Sequence, residues 1–232
     1  MLYVHEVHHV RGRSEEQFEL AFRKEWMPAL AEGDDARLLW YFNHAHGSGP
    51  AYRCVTITGV RDGAALERLM SRVQKGDLQD WARRVDELRH RVDAKVLLPV
   101  PWSPIQELDL ADVPVDGREH ELSIYMEDTG WPHAALDDYI TFWGSSYYAP
   151  MKARGTGLLD IQIVFQPAWG AGARKEAILL QKIVDHDRLL HLLTHDTDPM
   201  HRQPGMFMHD ALDYRDQWES KLLRTSPWSP RW

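Results

Sequence analysis

Pro101-Trp102-Ser103-Pro104 recurs as Pro227-Trp228-Ser229-Pro230, and the distance between the two copies decides how the chain is built. With the copies in register, Lys95 aligns with Lys221, Leu97 with Leu223 and Trp81 with Phe207. Small gaps carry the match upstream. Asp62 then pairs with Asp185, Leu66 with Leu189, Leu69 with Leu192, Phe22 with Phe142, Pro28 with Pro150 and Leu2 with Leu122. A unit of roughly 105–110 residues is too long for a solenoid repeat and suits a small domain. The chain divides into a first repeat over 1–104, a polar and acidic connector over 105–119, and a second repeat over 120–232.

Periodicity assigns the same elements to each repeat. Leu2–His9 alternates as a strand, and the Ser14-Glu15-Glu16-Gln17 capping box opens a helix to about Ala31, with Phe18, Phe22, Trp26 and Leu30 on one face. Strands follow over 37–46 and 51–60, then a helix capped by Asp62, a further helix over 77–91, and a strand over 92–100. The second repeat gives a strand over 120–127, a helix opened by Trp131-Pro132, and strands over 158–166 and 174–184 joined by a turn rich in glycine and alanine. A helix capped by Asp185, a loop over 196–208, a helical stretch near 208–215 and a strand over 218–224 complete it. That loop is either a lid or a plain surface connection. The order β-α-β-β-α-β is the ferredoxin-like unit, so the fold class is α+β with two such units in tandem.

Composition limits the function. A net charge of −8 with no basic run argues against a nucleic-acid partner. No apolar stretch is long enough to span a bilayer, and the N-terminus shows no signal-peptide pattern. Cys54 stands alone, which suits a reducing cytoplasm. The expected partner is a small molecule, with any homo-oligomer using outer surfaces. G-x-S-x-G, phosphate-loop and dinucleotide motifs are missing from the sequence, so no nucleotide cofactor is expected.

With this element order and its duplication, the chain resembles the dimeric α/β-barrel superfamily in a tandem, fused form, and within it the NIPSNAP-like and antibiotic-biosynthesis-monooxygenase-like groups. The resemblance implies that the bare faces of the two sheets pack together as an intramolecular barrel. Its members include cofactor-independent oxygenases, polyketide cyclases, isomerases and haem proteins. They share no catalytic signature, so no residue is carried over.

Strand alternation nominates the residues facing the barrel interior. They are Tyr3, His5 and Val7; Trp40, Phe42, His44 and His46; Thr56 and Thr58; Ser123, Tyr125 and Glu127; Asp160, Gln162, Val164 and Gln166; and Gln181. Leu159, Ile161, Ile163 and Phe165 are expected to face the helices. The first repeat thus offers aromatics and imidazoles, the second acids and amides, around a cavity for an aromatic or polyketide-like molecule. Acid–base work falls to His44 or His5, with Tyr125, Glu127 and Asp160 as acids or orienting groups. Tyr3, Trp40, Phe42, Thr58 and Gln162 line the substrate. The reaction class is proton transfer at an activated carbon, covering an isomerase, cyclase, lyase or cofactor-independent monooxygenase. Haem or a divalent metal at the histidines, and non-catalytic ligand binding, are the alternatives. Trp102 and Trp228 are expected to pin each last strand onto its own repeat.

Overall fold

Two four-stranded sheets with apolar inner faces close on each other. The computed structural model describes residues 1–155, 157–169 and 174–232. The first repeat runs β1 (Leu2–Val10), α1 (Glu15–Ala21), α2 (Met27–Ala31), β2 (Ala36–His44), β3 (Arg53–Val60), α3 (Gly63–Lys75), α4 (Gln79–Leu88) and β4 (Arg89–Pro99). The second runs β5 (Ile124–Trp131), α5 (Leu136–Trp143), α6 (Ala149–Arg154), β6 (Leu159–Trp169), β7 (Ala177–Ile183), α7 (His186–Thr194), α8 (Phe207–Asp210) and β8 (Gln217–Thr225). The expected glycine- and alanine-rich turn after β6 falls on 170–173, outside the described residues.

The strand order β1-β3-β2-β8-β5-β7-β6-β4 closes a barrel within the single chain. The seams are β2 with β8, where His44 lies opposite Leu223, and β4 with β6, where Pro99 lies opposite Phe165. No helix among the described residues is long and apolar enough to cross a membrane.

The long first helix of each repeat is interrupted at the same point. A π turn covers Phe22–Trp26 in one and Gly144–Tyr148 in the other, two residues before Pro28 and Pro150. Proline lacks the N–H of a regular turn and crowds the carbonyl four residues back; the wider turn accommodates both. Asp62 and Asp185 cap their helices as expected, accepting from the N–H of Ala65 and Arg188. Ser14 closes a short 3-10 turn instead and makes no side-chain cap.

Ladder partners correct the repeat register. Tyr3 lies opposite Leu97, and Tyr125 lies opposite Leu223. Since Leu97 and Leu223 are equivalent, so are Tyr3 and Tyr125, and Leu2 matches Ile124 rather than Leu122. The slip is two residues, so it preserves the faces of the strand. The strand expected from His120 begins at Ile124.

The repeated tails cross over, contrary to the expectation from sequence. Trp228 closes the second repeat but packs in the first repeat's helix-side core, 5.0 Å from the Tyr41 ring, with its indole N–H donating to Glu19. Trp102 stacks on Tyr148 and donates to the Ile140 carbonyl, both in the second repeat. The serines repeat the exchange. Tyr41 N–H donates to Ser229 Oγ and Val164 N–H to Ser103 Oγ, each at 3.0 Å. The cause is topological: β4 and β8 are the strands at the seams, so each chain end leaves directly onto the neighbouring repeat.

Candidate functional site

The barrel interior is recognisable because one apolar cluster draws on every strand and on no helix. It holds Tyr3, Trp40, Phe42, Val55, Ile57, Leu97, Tyr125, Ile163, Phe165, Leu180 and Leu223. Rings stack through its middle: Tyr3 on Phe165 at 5.1 Å, Phe42 on Tyr125 at 5.0 Å, and Trp40 on Phe42. Tyr3, Trp40 and Phe42 are 0% exposed. The aromatic set expected to line a cavity therefore fills that space as core. Connector residues Ile105, Leu108 and Val113 cover one end.

The other end is polar. His5 Nε2 meets Glu127 Oε2 at 2.8 Å, with both side chains buried, and Lys221 Nζ lies 3.6 Å from Glu127 Oε1. The Lys95 ammonium meets buried Glu176 at 2.7 Å. Burial alone would push the Glu127 carboxyl up. The charge and hydrogen bond of His5, then Lys221 and His44, override it and hold the group at about 2. His44 joins from the end of β2. Burial, reinforced by the Lys221 charge, lowers its imidazole below the ordinary range, so it is neutral at pH 7. Both of its ring nitrogens are buried and have no hydrogen-bond partner. The hairpin loop after β2 folds over it: a Cβ on Gly49 would stand 2.9 Å from His44 Nδ1.

Of the residues nominated from sequence, His5, Glu127 and His44 come together, and Tyr3, Trp40, Phe42 and Tyr125 form the core beside them. The others lie elsewhere. Thr58 and Thr56 face the helices, since Val55 and Ile57 take the interior; Thr56 bonds to His8, which packs on Phe18. Gln181 likewise accepts from Tyr147 and donates to Asp128 on the helix side. Asp160 is exposed at the barrel rim, where Gln162 donates to it. A bulge between Ile161 and Ile163 reverses the faces beyond it. Ile163 and Phe165 therefore turn inward and Val164 turns to the helices, the reverse of the expectation. Lys221, Lys95 and Glu176 were missed, although the Lys95–Lys221 match was visible in the repeat.

A groove of about 990 Å³ opens between α6, the start of β6 and α7, lined by Tyr148, Met151, Lys152, Asp160 and Arg188 among others. The loop expected as lid or connection carries a 3-10 turn over Pro199–Arg202 and leads to Phe207, which packs on Phe142 and Tyr147. Among the described residues, no three His, Cys, Asp or Glu side chains gather at metal-binding range.

Solved structures with this arrangement span nearly the whole chain. A candidate monooxygenase from Lactobacillus acidophilus NCFM superposes with a TM-score of 0.58 at 8% identity, over 99% of this chain and 96% of that one. The chain has the dimeric α/β-barrel fold in tandem form. An anthrone oxidase-like protein (TM-score 0.56, 9% identity) and chlorite dismutase from Candidatus Nitrospira defluvii (0.54, 9%) each cover 97% of this chain, which covers 91% of theirs. NIPSNAP proteins and a candidate antibiotic biosynthesis monooxygenase from Nitrosomonas europaea match one repeat's length. No family model and no curated protein matches the sequence.

A haem needs an axial ligand facing a slot wide enough for the ring. The groove has no histidine or cysteine in its lining, and Cys54 is buried under the first repeat's helices. His5 and His44 border a core already filled with aromatic rings. A haem ligated by either histidine would have to displace that core.

Proposed function

We propose that the chain is a small-molecule enzyme that transfers a proton at an activated carbon, with His44 as the base. The observation that carries this is the His44 side chain itself, whose two ring nitrogens are both buried and unpartnered, within electrostatic reach of Glu127 and Lys221. An unsatisfied buried polar side chain is costly, and positions that tolerate the cost are often functional. Neutral imidazole accepts a proton near pH 7 without further activation. Lys221 supplies positive charge for the anion that forms on the substrate, and the His5–Glu127 pair holds the site's charge balance. Entry requires the loop around Gly49 to move aside.

The substrate has an enolisable or similarly acidified C–H on an aromatic or polyketide-like body, seated at the polar end once the loop has moved rather than in the filled middle. Proton removal from such a carbon is the step shared by isomerases, cyclases, lyases and cofactor-independent monooxygenases. The neighbours named as a candidate monooxygenase and as anthrone oxidase-like favour the last of these. Deuterium uptake from D2O into a panel of anthrones, β-diketones and aryl ketones, followed by NMR, tests the reading. The enzyme should catalyse uptake, and His44→Ala should slow it by roughly a hundredfold to ten-thousandfold. His191→Ala, on an exposed helix face, serves as the control. Full catalysis in His44→Ala would remove the imidazole from the mechanism.

A further inference from the structure

A second polar cluster lies toward the opposite end of β2 from His44, and its members are hydrogen-bond donors without acceptors. Tyr3 Oη, Trp40 Nε1 and Arg231 Nε are all buried and unpartnered. The Arg231 guanidinium lies 5.0 Å from the Trp40 ring centroid, and Tyr3 and Tyr125 are the charged or titratable groups that act on it. No carboxylate pairs with it among the described residues. Trp40 Nε1 approaches the Tyr125 hydroxyl closely enough to temper the rise that burial causes there, but falls short of a well-formed hydrogen bond.

This is not a loosely placed chain end. Arg231 N–H donates to the Leu39 carbonyl at 2.9 Å, and Ser229 Oγ donates to the Arg231 carbonyl at 2.9 Å. Arg231 is half-buried with only its Nε fully enclosed, and the Tyr3 and Trp40 donors beside it are buried without acceptors, an arrangement that an anion reaching in along the guanidinium would relieve. Burial raises Tyr3 to about 12 and raises Tyr125 as well, so both keep their protons and donate at neutral pH.

We propose that Arg231, Tyr3, Trp40 and Tyr125 form a binding site for the carboxylate of a small organic acid. The guanidinium fork matches the two oxygens of a carboxylate, and the tyrosine and tryptophan donors satisfy its remaining lone pairs. Tyr3 and Tyr125 are equivalent in the two repeats, whereas Arg231 comes from the second repeat alone, so one anion is bound in one orientation. The rings beneath these donors are packed core, so only the carboxylate reaches them and the rest of the acid lies outward along the half-exposed Arg231. The acidic groups that act on this cluster, Glu107 on Tyr3 and Asp160 on Tyr125, favour a monoanion over a dianion. This site stands independently of the role given to His44.

The test uses benzoate, with neutral benzamide as its shape control, read by thermal shift and calorimetry on the full chain, together with bromide-soaked crystals. Benzoate should raise the melting temperature saturably while benzamide does not. Arg231→Gln should weaken benzoate at least tenfold, and Tyr3→Phe should weaken it severalfold. Bromide should give an anomalous peak within hydrogen-bond distance of Arg231 and Tyr3. Benzoate stabilisation that persists in Arg231→Gln, or crystals with no bromide at this position, would overturn the site. Bromide binding without benzoate binding would overturn the organic acid as its ligand.

Discussion

His5 and Glu127 hold equivalent positions in the two repeats and meet each other at 2.8 Å across the axis that relates those repeats. Two identical subunits would place the same side chain on both sides of such an axis. Two carboxylates there would repel, and so would two protonated imidazoles. A fused chain lets the halves diverge, and here they have diverged into a complementary pair. Each member also has a lysine as its ladder neighbour, Lys95 opposite His5 and Lys221 opposite Glu127.

This pseudo-symmetry predicts that the pair can be exchanged. His5→Glu alone sets two buried carboxylates against each other and should cost about 3–5 kcal/mol, the usual loss when a buried pair is broken. The double variant His5→Glu/Glu127→His should recover most of it. Urea midpoints of the single and double variants decide; a double variant no more stable than the single one would show that the positions are not interchangeable.

Adjacent acids on β5 should give opposite pH signatures. Glu127 is held at about 2, below its unfolded value near 4.3, so its contribution is complete above ~4.3 and lost as pH falls toward 2. Burial lifts Asp128 to about 6, only partly offset by Ser220, Arg215 and Gln181. Its folded value lies above the unfolded one, so its contribution is complete below ~3.9 and lost as pH rises through 6. The stability difference between wild type and Glu127→Gln should shrink from pH 5 to pH 2. That between wild type and Asp128→Asn should move against wild type from about pH 4 to pH 7. Chemical denaturation across this range reads both slopes.

Crossed tails predict damage at a distance in sequence. Trp228→Ala removes a buried indole from the first repeat's core and should cost about 3–5 kcal/mol. Ser229→Ala should lower amide-exchange protection at Tyr41, whose N–H loses its acceptor, while the second repeat's own strands keep theirs. Protection lost in β5 to β7 and kept at Tyr41 would mean that each tail serves its own repeat.

Gly49 tests the cover over His44. Gly49→Ala places a methyl 2.9 Å from Nδ1, too close for either group to stay in position. The loop should lift, and His44 should gain access to solvent, seen as faster chemical modification of its imidazole. An unchanged modification rate would show that the loop does not govern access.

The duplication was legible because proline, tryptophan and spacing survive in both tails, and the βαββαβ order followed from periodicity. The inward placement of Tyr3, His5 and Glu127 was legible because β1 and β5 alternate without interruption there. The faces of Gln162 to Gln166 were not, since the bulge before Ile163 leaves no mark in an apolar run. Thr58 was misplaced because threonine suits either face of a buried strand. A repeated tail shows that the tail matters to the fold but not which repeat receives it, so the crossing of Trp102 and Trp228 had to come from the structure. Arg231 gave no signal: an arginine after a proline reads as surface until its place over the Trp40 ring is seen.

The central claim is an unpartnered imidazole that burial and Lys221 keep neutral against the pull of Glu127, and the titration of His44 tests it most directly. NMR of histidine-labelled protein, with His44→Gln for assignment, should show His44 titrating below the ordinary value of about 6.5. Lys221→Met should raise that midpoint, and Glu127→Gln should lower it further. A His44 that titrates at or above 6.5 and ignores both substitutions would contradict the account.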